Sequence, residues 1–266
     1  MATSNVATSK KYKQVKRNNV EEYKKKTGIA SKVIITIFLI IIAMVLVFIS
    51  GAFDINEVIV EGNNAISSEQ IISFSEIQLG TNVFAISKKD IKNKIKENSY
   101  VEDVQTKRIL PNKIKLIIDE RKIEYALQLA NSYVYINRQG YIIEISNTEP
   151  TVPIILGFTT DLSNIKPNDR LKDEDLNKMN VVIKILETAK NNDLDKLITK
   201  IDISNEENYT IYLDSEGKVA YLGNGTELNT RFIYIKAILK EQQGKSGEIF
   251  VNMDLNSEWV YFSENV

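Results

Sequence analysis

Apolar and polar positions along this chain fall into three regimes. From Val33 to Phe53 the sequence VIITIFLIIIAMVLVFISGAF carries no charge over 21 residues. At a helical rise of about 1.5 Å per residue such a run reaches roughly 30 Å, the thickness of a bilayer's hydrocarbon core. Next comes a short mixed unit. Alternation around Val58 and Val60 predicts a strand ending at Gly62-Asn63-Asn64, and Ser67 to Gln70 has capping-box spacing ahead of Ile71, Ile72 and Phe74. A second helix opens at Ser87 with Asp90 three residues on, and its spacing predicts burial of Ile91 and Ile95. Strands over 101–108 and 113–121 flank a Leu110-Pro111-Asn112 turn, with Ile114, Leu116 and Ile118 on one face and Lys113 and Lys115 on the other.

Beyond Lys122 the pattern becomes strands interrupted by two long helices. YVYINRQGYIIEI reads as a hairpin turning at 137–140, and PTVPIILGF as an extended, proline-bounded run. Leu176, Met179, Ile183 and Leu186 mark one helix face; Leu228, Phe232, Ile235 and Leu239 mark another, with Lys236 and Lys240 toward its end. Between them, LITKIDIS, NYTIYLD and KVAYLGN predict three short strands, with Asp214 to Gly217 as a tight turn. EIFVNM and EWVYFS form a last hairpin across 254–257. Termini are usually polar and frayed. Here Trp259, Val260, Tyr261 and Phe262 make both faces of the last strand apolar.

Net charge is −1, so charge alone does not point to nucleic acid. Its distribution matters more. Nine bases against two acids lie between Lys10 and Lys32, whereas five acids and no base lie between Gly51 and Ser87. The positive-inside rule then places the N-terminus in the cytoplasm and about 210 residues outside. A signal peptide cleaved after Ser50-Gly51-Ala52 is the competing reading, but the apolar core and the 32 residues before it are too long for one. The basic leader itself reads as a topology signal without defined structure.

Composition also narrows the chemistry. The chain has no cysteine and no histidine, which removes thiolate nucleophiles, disulfides, cysteine-ligated metals and imidazole bases. Carboxylate chemistry survives. The closest groupings are Asp119-Glu120, Asp173-Glu174-Asp175, and Asp214 with Glu216, and a glycosidase needs two carboxyls at a set separation. Each has a structural use, at a helix N-terminus or in a turn. Gly223-Asn224-Gly225-Thr226 lacks the Gly-Lys-Ser/Thr of a phosphate loop and reads as a turn with Thr226 as a helix cap. No catalytic residue, metal ligand, cofactor or small-molecule substrate is expected.

The stretches VIVEGNNAIS, LGTNVFAIS, YVEDVQTKRILPNKIKLIIDER and the alanine of IEYALQL, in that order after an anchor, resemble a POTRA domain. More narrowly they resemble that of the FtsQ/DivIB family of bacterial cell-division proteins. Ile123 stands where that family commonly has proline. INRQGYII, the Pro-x-x-x-Gly segment, YLGNGTELNTRFIYIKAIL and the terminal VNMD resemble the family's β-domain more loosely. The expected fold class is α+β. A cytoplasmic tail at 1–32 and a single transmembrane helix at 33–52 precede a β-α-α-β-β POTRA-like domain at 53–123 and a mainly antiparallel α+β domain at 124–266. The resemblance implies a non-enzymatic divisome scaffold at the septum, binding FtsB (DivIC) and FtsL outside the membrane through its C-terminal strands. By position, that region is carried by Leu255, Ser257, Trp259 and Tyr261, although Trp259 and Phe262 read equally as core residues. Two other classes stay open: a POTRA-bearing transport or secretion component, and an anchored cell-wall hydrolase.

Overall fold

The computed structural model describes residues 31–255 and 259–265. Helix α1 spans Ser31–Ile49 with a mean hydropathy of 3.1, and among the described residues it is the one helix long and apolar enough to cross a membrane. The described residues divide into two compact units: 31–59 with Gln78–Ile86 and Arg108–Ile114, and Val60–Ile77 with Ser87–Lys107 and 115–265. Strands β1 (Glu57–Glu61), β2 (Val101–Ile109) and β3 (Lys113–Glu120) contribute residues to both and form a sheet in the order β1-β3-β2.

Local chemistry accounts for the small helices. The Ser67 hydroxyl accepts from the Gln70 amide while the Gln70 side chain accepts from the Ser67 amide, a complete capping box that starts α2 (Ser68–Ser75). Ser87 caps α3 (Lys88–Ile95) by accepting from the Asp90 amide at 3.3 Å, and Ile91 and Ile95 are buried as their spacing requires. The left-handed Gly62 turn that precedes α2 tolerates no side chain, since a Cβ there would lie 2.3 Å from the Ile118 carbonyl oxygen. Glu120 closes this end by accepting from the Ala65 and Ile66 amides at 2.8 and 3.1 Å.

The larger sheet has nine strands in the order β12-β11-β10-β9-β8-β7-β4-β5-β6. They are β4 (Tyr125–Leu129), β5 (Ser132–Ile136), β6 (Ile142–Ser146), β7 (Ile154–Leu156), β8 (Lys200–Asp202), β9 (Thr210–Leu213), β10 (Lys218–Tyr221), β11 (Gly247–Phe250) and β12 (Tyr261–Glu264). Most neighbours are antiparallel. Three pairs are parallel: β4-β7, joined through the β5-β6 hairpin, and β7-β8 and β10-β11, bridged by α4 (Asp173–Asn191) and α5 (Leu228–Glu241), because parallel neighbours need a long crossover. Both helices pack on one face of the sheet. α5 buries Leu228, Phe232, Ile235 and Leu239 as its spacing predicts. Its Lys236 ammonium donates to the Asn192 carbonyl at 2.8 Å, so it caps the end of α4.

Three expectations need correcting. α4 buries Asp175, Met179, Val182, Ile185 and Ala189, so the stripe through Leu176, Ile183 and Leu186 lies to one side, with Leu176 and Leu186 only partly buried against the core. Asp175 sets this rotation. Its carboxylate is fully buried and accepts from the Thr159 and Thr160 amides at 2.9 and 2.8 Å and from both hydroxyls. Thr226 is not a helix cap: its hydroxyl donates to Asn224, and Glu227 occupies the cap position without a side-chain bond. The closing hairpin is also looser than a four-residue turn, since β11 ends at Phe250 and β12 begins at Tyr261.

Arg121, largely buried, anchors the chain between β3 and the larger sheet. Its guanidinium donates to the Ser99 carbonyl at 2.9 Å, to Asn168 at 2.7 Å and to Glu102 at 3.1 Å, and lies 4.3 Å over the Tyr141 ring. The Ser99 hydroxyl donates to the Ile143 carbonyl at 2.6 Å, and the Tyr100 hydroxyl donates to Glu144. Burial first, and then the Glu144 bond, raise the Tyr100 hydroxyl well above the ordinary tyrosine range, so it remains a donor at neutral pH.

Burial pushes the Asp175 carboxyl up, but the threonine hydroxyls and amides outweigh it and hold it below the ordinary value. A lowered pKa means a contribution that is present above the unfolded-state value and lost as pH falls through the folded one. Asp175→Ala is therefore expected to cost about 2–4 kcal/mol at pH 7, by stranding several buried donors. Urea melts should show that gap, and it should shrink in acid below the lowered Asp175 pKa.

Candidate partner-binding edge

β12 ends the nine-stranded sheet, and its register against β11 pairs Gly247 with Glu264, Glu248 with Ser263, Ile249 with Phe262 and Phe250 with Tyr261. The Asn265 amide donates to the Ser246 carbonyl at 3.0 Å, continuing that register. Antiparallel pairs alternate between those that exchange main-chain bonds and those that do not. By that alternation Tyr261 and Ser263 bond inward to β11, whereas the N–H and C=O groups of Phe262 and Glu264 point away from the sheet. Among the described residues no segment pairs with this side of β12.

The opposite edge is treated differently. At β6 the Ile142 amide donates to the Asp169 carbonyl and the Ile142 carbonyl accepts from the Asn168 amide, both at 2.8 Å. The Ile143 carbonyl takes the Ser99 hydroxyl. The start of β6 is thus covered by the chain itself, whereas among the described residues β12 has no outward partner.

Side chains on β12 divide by face. Phe262, with Val260, packs against the core. Tyr261 turns to the other face, 50% exposed, and its ring stacks on Phe250 at 4.6 Å, which stacks on Tyr221 at 4.9 Å. This ladder crosses β12, β11 and β10. The Tyr221 hydroxyl donates to Glu248 at 2.7 Å; that bond first, and then burial, push it up to about 12. Cross-strand aromatic pairs contribute roughly 0.2–1 kcal/mol each, which steadies a short edge strand.

The inner face is pinned by two features that sequence reasoning missed. Lys218 is 2% exposed, donates its ammonium to the Lys245 and Glu216 carbonyls at 2.6 and 3.1 Å, and stands 5.9 Å from the Phe262 ring centre. At Gly247 a Cβ would lie 2.2 Å from the Ser263 carbonyl oxygen and 2.7 Å from Phe262, so only glycine lets β12 close on β11.

Of the residues expected to carry the interface, Tyr261 stands on the edge strand and Trp259 just before it, 91% exposed. Trp259 is thus not a core residue. Leu255 is half-buried in the connection between β11 and β12, apart from the ladder, and Ser257 lies outside the described residues. Phe250 and Tyr221 were legible only as period-two positions opposite Ile249 and Ala220. The carboxylates weighed for catalysis have structural partners: Glu120 at the α2 entry, Asp175 at the start of α4, and Asp214 with the Lys200 ammonium at 3.0 Å.

Gly247→Val is expected to unseat β12 while leaving the helix-covered core folded. Amide exchange at Tyr261 and Ser263 should rise at least tenfold, a loss of about 1.4 kcal/mol of local protection, with an unchanged far-ultraviolet spectrum apart from that strand.

Comparison with known proteins finds similar chains. Residues 53–121 match the family model of the FtsQ-type POTRA domain. The cell-division protein DivIB of Clostridium botulinum (strain Hall) is 28% identical over 248 residues, covering 91% of this chain and 94% of that protein. DivIB of Clostridium tetani (strain Massachusetts) is 37% identical over 109 residues, 41% of each chain. A solved structure of the major extracytoplasmic domain of DivIB from Geobacillus stearothermophilus aligns over 46% of this chain and 92% of its own, with a TM-score of 0.27 and 12% identity. With an apolar helix, a match to the FtsQ-type POTRA domain and DivIB of Clostridium botulinum aligned along nearly its whole length, the chain is similar to the FtsQ/DivIB cell-division proteins.

Proposed function

We propose that this protein is a non-enzymatic scaffold of the divisome, which captures FtsB (DivIC) and FtsL outside the membrane by adding a strand of the partner to β12. The observation that carries the reading is the edge of β12, open among the described residues and backed by the Tyr221-Phe250-Tyr261 ladder. Strand addition draws affinity from main-chain bonds and specificity from the side chains beside them. Phe262 and Glu264 offer the main-chain groups, while Tyr261 and Trp259 offer the exposed aromatic surface that interfaces favour.

The chain is divided in this proposal at residue 123, with the POTRA-like domain before it and the partner-binding domain after it. α1 holds it at the septal membrane, and the nine bases before Val33 orient it with its N-terminus in the cytoplasm. Function then consists of assembly without turnover: the anchor restricts the protein to the membrane surface and the edge strand selects the partner.

The full chain in nanodiscs, titrated with the outer segments of a DivIC/FtsL pair, tests this. Glu264→Pro removes one outward amide and leaves the inward bonds of Tyr261 and Ser263 in place. It is expected to weaken binding about tenfold or more, as loss of a main-chain bond at a desolvated interface does. Glu264→Ala, which loses only the exposed 2.9 Å ion pair with Lys245, should bind within about twofold of the parent chain. Equal affinity of the parent and the proline variant would refute the strand dock.

A further inference from the structure

The unit that contains α1 carries an apolar face that no other described segment covers. Leu79 is 65% exposed, Leu110 58%, Phe84 44% and Ile109 38%. They come from two loops that main-chain bonds draw to the residues just past α1. The Val83 amide donates to the Phe53 carbonyl, and the Gly80 amide donates to the Ile55 carbonyl, both at 2.8 Å; the Asn56 amide donates to the Asn112 carbonyl at 3.0 Å. The Phe84 ring meets Phe53 at 5.4 Å and Phe48, within α1, at 5.9 Å.

That last contact fixes depth. Phe48 belongs to the last turn of the spanning helix, so it lies where the hydrocarbon core meets the headgroups, and a ring stacked on it lies at the same level. An exposed apolar cluster at that level would meet lipid before water. Polar groups in the same loops are internally partnered: Arg108 lies 5.9 Å over the Phe84 ring and donates to the Val83 and Ile86 carbonyls at 2.7 and 2.9 Å, Lys113 pairs with Glu57, and Asp54 balances Arg108 in charge. Beyond α1 the unit therefore offers apolar area in which Arg108 and Lys113 are balanced by Asp54 and Glu57, which fits the bilayer's interfacial layer and does not depend on anionic lipid.

We propose that Leu79, Phe84, Ile109 and Leu110 form a lipid-facing surface that seats in the interfacial layer of the bilayer crossed by α1. The loops would then act as a second, monotopic contact that limits how the chain tilts on its anchor. The inference rests on reading α1 as a spanning helix.

The chain has no cysteine, so single-cysteine variants of the full chain report on single positions. Leu79→Cys, Leu110→Cys and, within α1, Val45→Cys would carry an environment-sensitive NBD label in phosphatidylcholine vesicles. Quenching by lipids doxyl-labelled near the headgroup is compared with quenching by aqueous iodide. The expected result is labels at 79 and 110 quenched about threefold more by the lipid than by iodide. Labels at 79 and 110 quenched mainly by iodide, with position 45 shielded from it, would overturn this inference alone and leave the face to water or to a protein partner. Iodide quenching at position 45 as well would overturn both the span and the inference.

Discussion

A β-sheet that does not close on itself must leave two rows of main-chain donors and acceptors without strand partners, and the disposal of those two rows organises this protein. At β6 the chain spends its own groups: Asn168, Asp169 and Ser99 satisfy Ile142 and Ile143. At β12 the described residues supply none. Natural edges are usually blunted by charge or proline, yet here Glu264 pairs with Lys245 at the end of the strand and its middle stays aromatic. The open row is also held in a defined register, because Gly247 admits the Ser263 carbonyl, Phe262 locks into the core and Tyr261 stacks outward. An edge so short would otherwise fray.

The other end of the chain obeys a comparable constraint in a different solvent. Residues 53–56 leave the spanning helix and are tied to two loops within a few residues, so the first folded unit cannot stand off from the membrane on a flexible stalk. The anchored end and the open edge thus set two boundary conditions, one on position and, in the function proposed here, one on partner.

Much of this fold was legible from local chemistry. Ser67 and Ser87 announce their helices because capping is a contact within four residues, and the Leu228-Phe232-Ile235-Leu239 stripe names the buried face of α5 because no rival stripe competes with it. In α4, Val182 and Ile183 or Ile185 and Leu186 serve either of two overlapping faces. The choice falls to Asp175, whose partners lie fifteen and sixteen residues away. The candidate edge shows the same division. Its aromatic ending was visible in the sequence. The exposure of Trp259, the stacking partners Phe250 and Tyr221, the buried Lys218 and the need for glycine at 247 all depend on which strand lies beside which, and residue spacing does not encode that.

The central claim, that a partner strand completes the open row of β12, is tested most directly by residue-resolved amide hydrogen exchange on the full chain with and without the DivIC/FtsL outer segments. The account predicts that the Phe262 and Glu264 amides exchange quickly in the free protein and slow by about a hundredfold or more in the complex, while Tyr261 and Ser263 are protected in both states. Unchanged exchange at Phe262 and Glu264, with protection appearing on another surface, would contradict it.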